Sequence, residues 1–225
     1  MMISENQLLP HYPNTLPAHV LQANTFAELY GIHESHINLG LLHRPVDADI
    51  YRFLEKWVET GFQQLEGTLS AEKCKAFLTA RLADYRALDE VGWQKFIEEL
   101  DTTTQDYAAV VGIDEVKFLL AIVRDNSCEK FHRDFYHLRL LCTYYGEGTE
   151  WTPDENVNRN KLVKGTNAEI IKDASRVYRL QPFDIAILKG EYLPENKGKD
   201  IIHRSPSILA HKGKRVLLRF DMCYD

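Results

Sequence analysis

His132 and Asp134 stand two residues apart in the run KFHRDFYH. In an extended strand, residues i and i+2 point to the same side. An imidazole nitrogen and a carboxylate oxygen would then face one ion. A third donor is His203, in IIHRSP at the end of a short apolar segment. Two imidazoles and one carboxylate on one face of a metal leave the other face open. That is the arrangement for non-haem Fe(II), which must take a co-substrate and O2 together, and the same donors also accept zinc. The pair alone carries little weight: nine His and fifteen Asp in 225 residues give about 0.6 His-x-Asp pairs by chance. The surroundings must decide.

His132-Arg133-Asp134 also spells the start of a protein-kinase catalytic loop. A kinase needs a Gly-rich phosphate loop before it and Asp-Phe-Gly after it. The sequence has neither, and a strand-like run follows in place of a loop ending in Asn. Kinase chemistry is excluded.

A second chemical signal lies in GKRVLLRFDM. On a strand, Arg215, Leu217, Arg219 and Asp221 share one face, and Val216, Leu218, Phe220 and Met222 share the other. The apolar face calls for a partner layer. The first face then points inward, where two arginines are costly unless an anion or carboxylate meets them. A bound dicarboxylate would suit the guanidinium fork. The alternative is an internal Arg–Asp pair, for example with Asp221.

These residues need a scaffold, and the hydrophobic pattern supplies one. Residues 1 to about 30 read as an extended lead-in with Pro10, Pro13 and Pro17. Ile37, Leu39 and Leu41 alternate and stop at Pro45, which predicts a short strand. From residue 47, Ile50, Phe53, Leu54, Trp57, Val58, Phe62 and Leu65 recur at steps of three and four, which predicts an amphipathic helix. Ser70 can cap a second helix carrying Phe77, Leu78 and Leu82, and Asp89 a third carrying Trp93, Phe96, Ile97 and Leu100. Residues 45–112 are thus mainly helical. Residues 113–225 read as β, with runs at 116–125, 137–146, 175–181, 183–190, 200–205 and 215–224 separated by turn residues. Six strands without helices between them predict an antiparallel sandwich or barrel. The expectation is one α+β domain over residues 1–225, with a β-barrel carrying the site and N-terminal helices packed on one of its sheets.

Composition agrees with a cored protein: 44% of residues are hydrophobic and 27% charged. The net charge of −6 argues against nucleic acid as a partner, because phosphate binding needs a basic face. No apolar run approaches the roughly 20 residues that span a membrane. The first residues lack a signal-peptide pattern. Cys74, Cys128, Cys142 and Cys223 are widely spaced and form no C-x-x-C, so reduced thiols in a cytoplasmic protein are expected. The expected partner is a small-molecule or peptide substrate.

The order His-x-Asp, a Pro182-Phe183-Asp184 turn into a strand, a distal His, and an Arg opening the last strand resembles the double-stranded β-helix of 2-oxoglutarate-dependent Fe(II) dioxygenases. That fold is a cupin-like jelly roll. The resemblance implies His132, Asp134 and His203 as metal ligands and an arginine after the distal His for 2-oxoglutarate. Arg215 follows His203 by twelve residues and Arg219 by sixteen, so Arg215 fits better and Arg219 is a second candidate. Arg139 and Tyr144 lie on opposite faces of their strand, so one of them at most meets the co-substrate, and Tyr144 is carried as the candidate.

A nearer resemblance is to a bacterial family, domain of unknown function 1826. It rests on FHRDFYHLRLLCTYYGEGTEW, AILKGE and IIHRSP, and covers residue 30 or so to the C-terminus. The family supplies no activity. Its members are reported beside zinc-responsive genes. This sustains an alternative: a Zn- or Fe-binding cupin-like protein of metal homeostasis without oxygenase activity.

Overall fold

The computed structural model describes residues 16–126, 128–207 and 213–222. Residues 1–15 of the expected lead-in, and Cys223, lie outside them. The elements are β1 (Val20–Ala23), β2 (Leu39–Leu42), α1 (Ala48–Trp57), β3 (Gln64–Ser70), α2 (Cys74–Arg81), α3 (Glu90–Val111), β4 (Glu115–Val123), β5 (Leu138–Tyr145), β6 (Glu150–Thr152), α4 (Asn167–Ile170), β7 (Tyr178–Arg179), β8 (Ile185–Lys189), β9 (Ile202–Arg204) and β10 (Arg215–Met222), linked by turns and short 3-10 segments.

The helices start and stop on local chemistry. The Asp47 carboxylate accepts from the amides of Asp49 and Ile50, satisfying two free N–H groups at the start of α1. Asp89 does the same for Gly92 at the start of α3. Gly112 ends α3 with φ 73°, a left-handed value that glycine adopts without steric cost. Gly92 also lets α3 lie on α1, since a Cβ there would stand 2.4 Å from the Asp49 carbonyl oxygen.

Two features depart from the expected pattern. Helix α1 ends at Trp57, and Leu65 lies on β3, an edge strand paired antiparallel with β4. Leu65 and Leu69 are the buried residues of β3, and a spacing of four falls on one face of a helix and of a strand alike. Ser70 accordingly closes β3 and does not cap α2, which begins at Cys74.

The expected barrel is not closed. One seven-stranded sheet runs in the order β1-β2-β8-β5-β10-β4-β3, and a separate three-stranded sheet in the order β7-β6-β9. The strands of the small sheet are two or three residues long, too short to carry a continuous ladder from one sheet to the other. Strand β6 lies between the predicted runs, and β7 is only the middle of the predicted 175–181 run.

The layers follow the side-chain pattern. Val216, Leu218 and Phe220 of β10 are fully buried in one core with Phe53, Trp57 and Phe96 of the helices. The predicted partner layer is therefore present on that face. On the other face, Leu41, Leu141 and Leu188 of the large sheet share a second core with Trp151 and Tyr178 of the small sheet. A third cluster, with Phe131, Val157, Ile170 and Ile202, closes the outer side of the small sheet. No helix of the described residues is long and apolar enough to cross a membrane.

Candidate metal centre

His203 sits in the middle of β9, and its backbone exchanges two hydrogen bonds with His132, at 3.0 and 3.2 Å. His132 therefore belongs to an isolated antiparallel bridge and to no named strand. The bridge brings the two rings to 4.8 Å between centroids. His203 is also register partner to Trp151 of β6, whose indole lies in the core between the sheets, so both side chains point inward. Asp134 completes the group. Its Oδ1 lies 3.4 Å from His132 Nε2 and its Oδ2 3.3 Å from His203 Nε2.

The far nitrogens of both rings are held. His132 Nδ1 donates to the Lys130 carbonyl at 2.7 Å, and His203 Nδ1 to the Ile201 carbonyl at 3.2 Å. A carbonyl oxygen only accepts, so Nδ1 carries a hydrogen in each ring and Nε2 is the nitrogen turned toward Asp134. Burial and the neighbouring His203 lower the pKa of His132, which favours the neutral imidazole. Burial works to raise the Asp134 pKa, but His203, Arg139 and His132 outweigh it and hold the carboxyl well below the usual range. Two imidazoles and one carboxylate, each oriented by an outer partner, are the donor types a divalent metal requires. One donor atom from each residue fits within 4.8 Å of the others, and these are the only three residues among those described that gather in this way. His33, His36 and His43 do not join them: they bond to the Val110 carbonyl, Glu34 and Asp184 respectively.

The arginines divide sharply. Arg215 opens β10 on the inward face and is 1% exposed. Its Nη2 donates to Thr143 Oγ1 at 3.1 Å and to Thr149 Oγ1 at 3.3 Å. Its Nε and Nη1 have no partner among the described residues. Burial pushes its pKa down to about 10, against the opposing pull of Glu147. Gly146 makes this approach possible: it has φ 80°, and a Cβ there would stand 2.4 Å from the Lys214 carbonyl oxygen. Arg219 shares the face; its Nε makes no hydrogen bond among the described residues but lies 3.2 Å from Asp221 Oδ2, so the internal Arg–Asp alternative describes it better than a ligand contact.

Tyr144 does not reach this face. It is fully buried on the helix side, donates to Glu99 at 2.9 Å, and packs edge-on against Phe96 and Phe183. The register against β10 shifts at this point: Leu217 pairs with Thr143 and Val216 with Tyr145, leaving Tyr144 as the extra residue of a bulge. The inward-facing residue of the pair is Arg139. Its Nε and Nη2 fork onto Asp221 at 2.5 and 3.0 Å, and its Nη1 donates to Asp134 Oδ2. Its Cζ lies over the Tyr136 ring, 4.1 Å from the centroid. Strand alternation alone offered the choice between Arg139 and Tyr144. The signal that selects Arg139 is the cross-strand position of Asp221.

The fold and the site define a two-sheet α+β protein with a candidate mononuclear metal centre of two histidines and an aspartate. The chain belongs to the family described as protein of unknown function, DUF1826, whose model matches residues 23–221. No curated protein matches it. Among solved structures it is similar to a full-length protein of Neurospora crassa in complex with alpha-KG, with 13% identity, 90% of this chain and 82% of that chain covered, and a TM-score of 0.41. It is also similar to a prolyl-4-hydroxylase of Pseudomonas putida, with 10% identity, 88% and 99% covered, and a TM-score of 0.40.

Proposed function

We propose that this protein is a non-haem Fe(II)- and 2-oxoglutarate-dependent oxygenase acting on a small-molecule or peptide substrate, and that its two sheets are an open form of the double-stranded β-helix. The observation that carries the reading is Arg215. A buried guanidinium with two bare N–H-bearing nitrogens and no carboxylate in contact among the described residues is unfavourable unless an anion completes it. It projects from the inward face of β10, the same face whose Asp221 joins Arg139 and Asp134.

In this reading His132, Asp134 and His203 hold the ion, and Arg215 with Thr143 and Thr149 holds the distal carboxylate of 2-oxoglutarate. The bound ion and 2-oxoglutarate supply O2 activation coupled to oxidative decarboxylation of the co-substrate. The protein's own work is positional. The Lys130 and Ile201 carbonyls fix the two imidazole tautomers. The apolar residues between the sheets, Trp151 and Leu141 among them, keep water from the inner face. A protein that only stored or delivered metal would leave Arg215 without a role.

The test is metal content together with succinate formation from 2-oxoglutarate. Wild-type protein should retain Fe(II) and release succinate, and His132→Ala and His203→Ala should lose both. Retention of metal by both variants would refute the ligand assignment. Iron binding without any 2-oxoglutarate turnover, across a panel of small-molecule and peptide substrates, would refute the oxygenase reading.

A further inference from the structure

The inner face carries one more charged group in contact with the candidate ligands. Arg139 lies directly opposite Asp221 in the β5–β10 register. Four of its properties converge. Two of its three nitrogens are spent on Asp221, so the guanidinium plane is fixed before any ligand arrives. Its third nitrogen meets Asp134 Oδ2. Its flat face rests on Tyr136, a buried ring. Its side chain is 15% exposed, and those of Asp221 and Asp134 are 14% and 23% exposed.

A carboxylate in a metal site can bind through one oxygen or two. An outer donor that occupies one oxygen leaves the other to the metal. We propose that Arg139 is a positioning residue of the metal centre: anchored by Asp221, it engages Oδ2 of Asp134 and leaves Oδ1 as the oxygen offered to the ion. This rests on the reading of His132, Asp134 and His203 as ligands. The consequence is a monodentate carboxylate and one more position free for other ligands. Outer partners of this kind change metal affinity by roughly 10- to 100-fold. Arginine suits the role and lysine does not, because only a planar fork can bind Asp221 through two nitrogens and still present a third.

Titration of the intact metal-free protein with Co(II) tests this, read by the visible d–d absorption. Wild-type protein should bind Co(II), and His132→Ala should not. In Arg139→Lys the affinity should fall about 10- to 100-fold, and the d–d band should change shape and intensity as the carboxylate swings to both oxygens. In Asp221→Asn, which leaves Arg139 in place but unanchored, the same changes should be smaller. Circular dichroism establishes which variants are folded, and if Arg139→Lys is not, Asp221→Asn decides. Wild-type affinity and wild-type spectrum in the folded variants would overturn the proposal while leaving the ligand assignment intact. Absence of Co(II) binding by the wild type, or its retention in His132→Ala, would remove the ligand assignment itself and the proposal with it.

Discussion

Two ends of one strand face carry opposite kinds of arginine site. At one end of β10, Asp221 gathers Arg139 and Arg219, and Arg139 passes the contact on to Asp134. At the other end, Arg215 is more deeply buried than either, yet among the described residues it meets only two threonine hydroxyls. At the first end each guanidinium lies against a carboxylate, although Arg219 Nε makes no hydrogen bond among the described residues. The second is incomplete. Burial alone therefore does not mark a ligand-binding charge, whereas burial without a contacting counter-charge among the described residues does, because the desolvation cost there is not offset by any of them.

That contrast can be broken by removing each cation in the metal-free protein. Arg139→Met takes the arginine from Asp134 and leaves Asp221 with Arg219 alone, and should destabilise the fold by about 3 kcal/mol in a urea melt. Arg215→Met removes a charge with no carboxylate to strand, so the metal-free protein should gain about 1 kcal/mol. Equal losses in the two variants would mean that the two ends are not different in kind.

Smaller effects sharpen the picture from the other side of the sheet. Tyr144→Phe gives up the hydrogen bond to Glu99 and should cost about 1 kcal/mol of stability. It should leave 2-oxoglutarate affinity unchanged, as measured by calorimetry on Mn(II)-loaded protein, and a tenfold loss would place Tyr144 in the site after all. Thiol labelling should be the mildest probe. Burial pushes Cys74 up to about 11 and Cys142 up to about 12, so neither should react with a thiol reagent at pH 7.5, whereas exposed Cys128 should react quickly. Mass spectrometry of the labelled native protein reads this residue by residue.

The sequence was most legible where a pattern was long and strict. The alternation of β10 placed Val216, Leu218 and Phe220 against the helices and Arg215 on the opposite face, and both placements match the structure. Helix α3 announced itself by Asp89 and its apolar spacing. The misread elements are those where a pattern is short or shared. Strand β3 buries two leucines four apart, a spacing equally at home on a helix. Strands β6 and β7 hold three and two residues, too few for alternation to register. The bulge at Tyr144 upsets the alternation that assigns faces. For the candidate site, the three ligand types were legible as a motif, but the pairing that joins them was not. His132 meets His203 through an isolated bridge, and no local spacing encodes a contact made across the chain. The Asp221 anchor of Arg139 was hidden for the same reason: it exists only in the register between β5 and β10.

The most direct measurement adds Fe(II) and 2-oxoglutarate to the protein in the absence of oxygen and records the visible spectrum. The account predicts a charge-transfer band in the wild type that is absent in His203→Ala and strongly weakened in Arg215→Met at the same 2-oxoglutarate concentration. A wild-type protein that binds Fe(II) and shows no band, or an Arg215→Met variant whose band titrates like the wild type's, would contradict it.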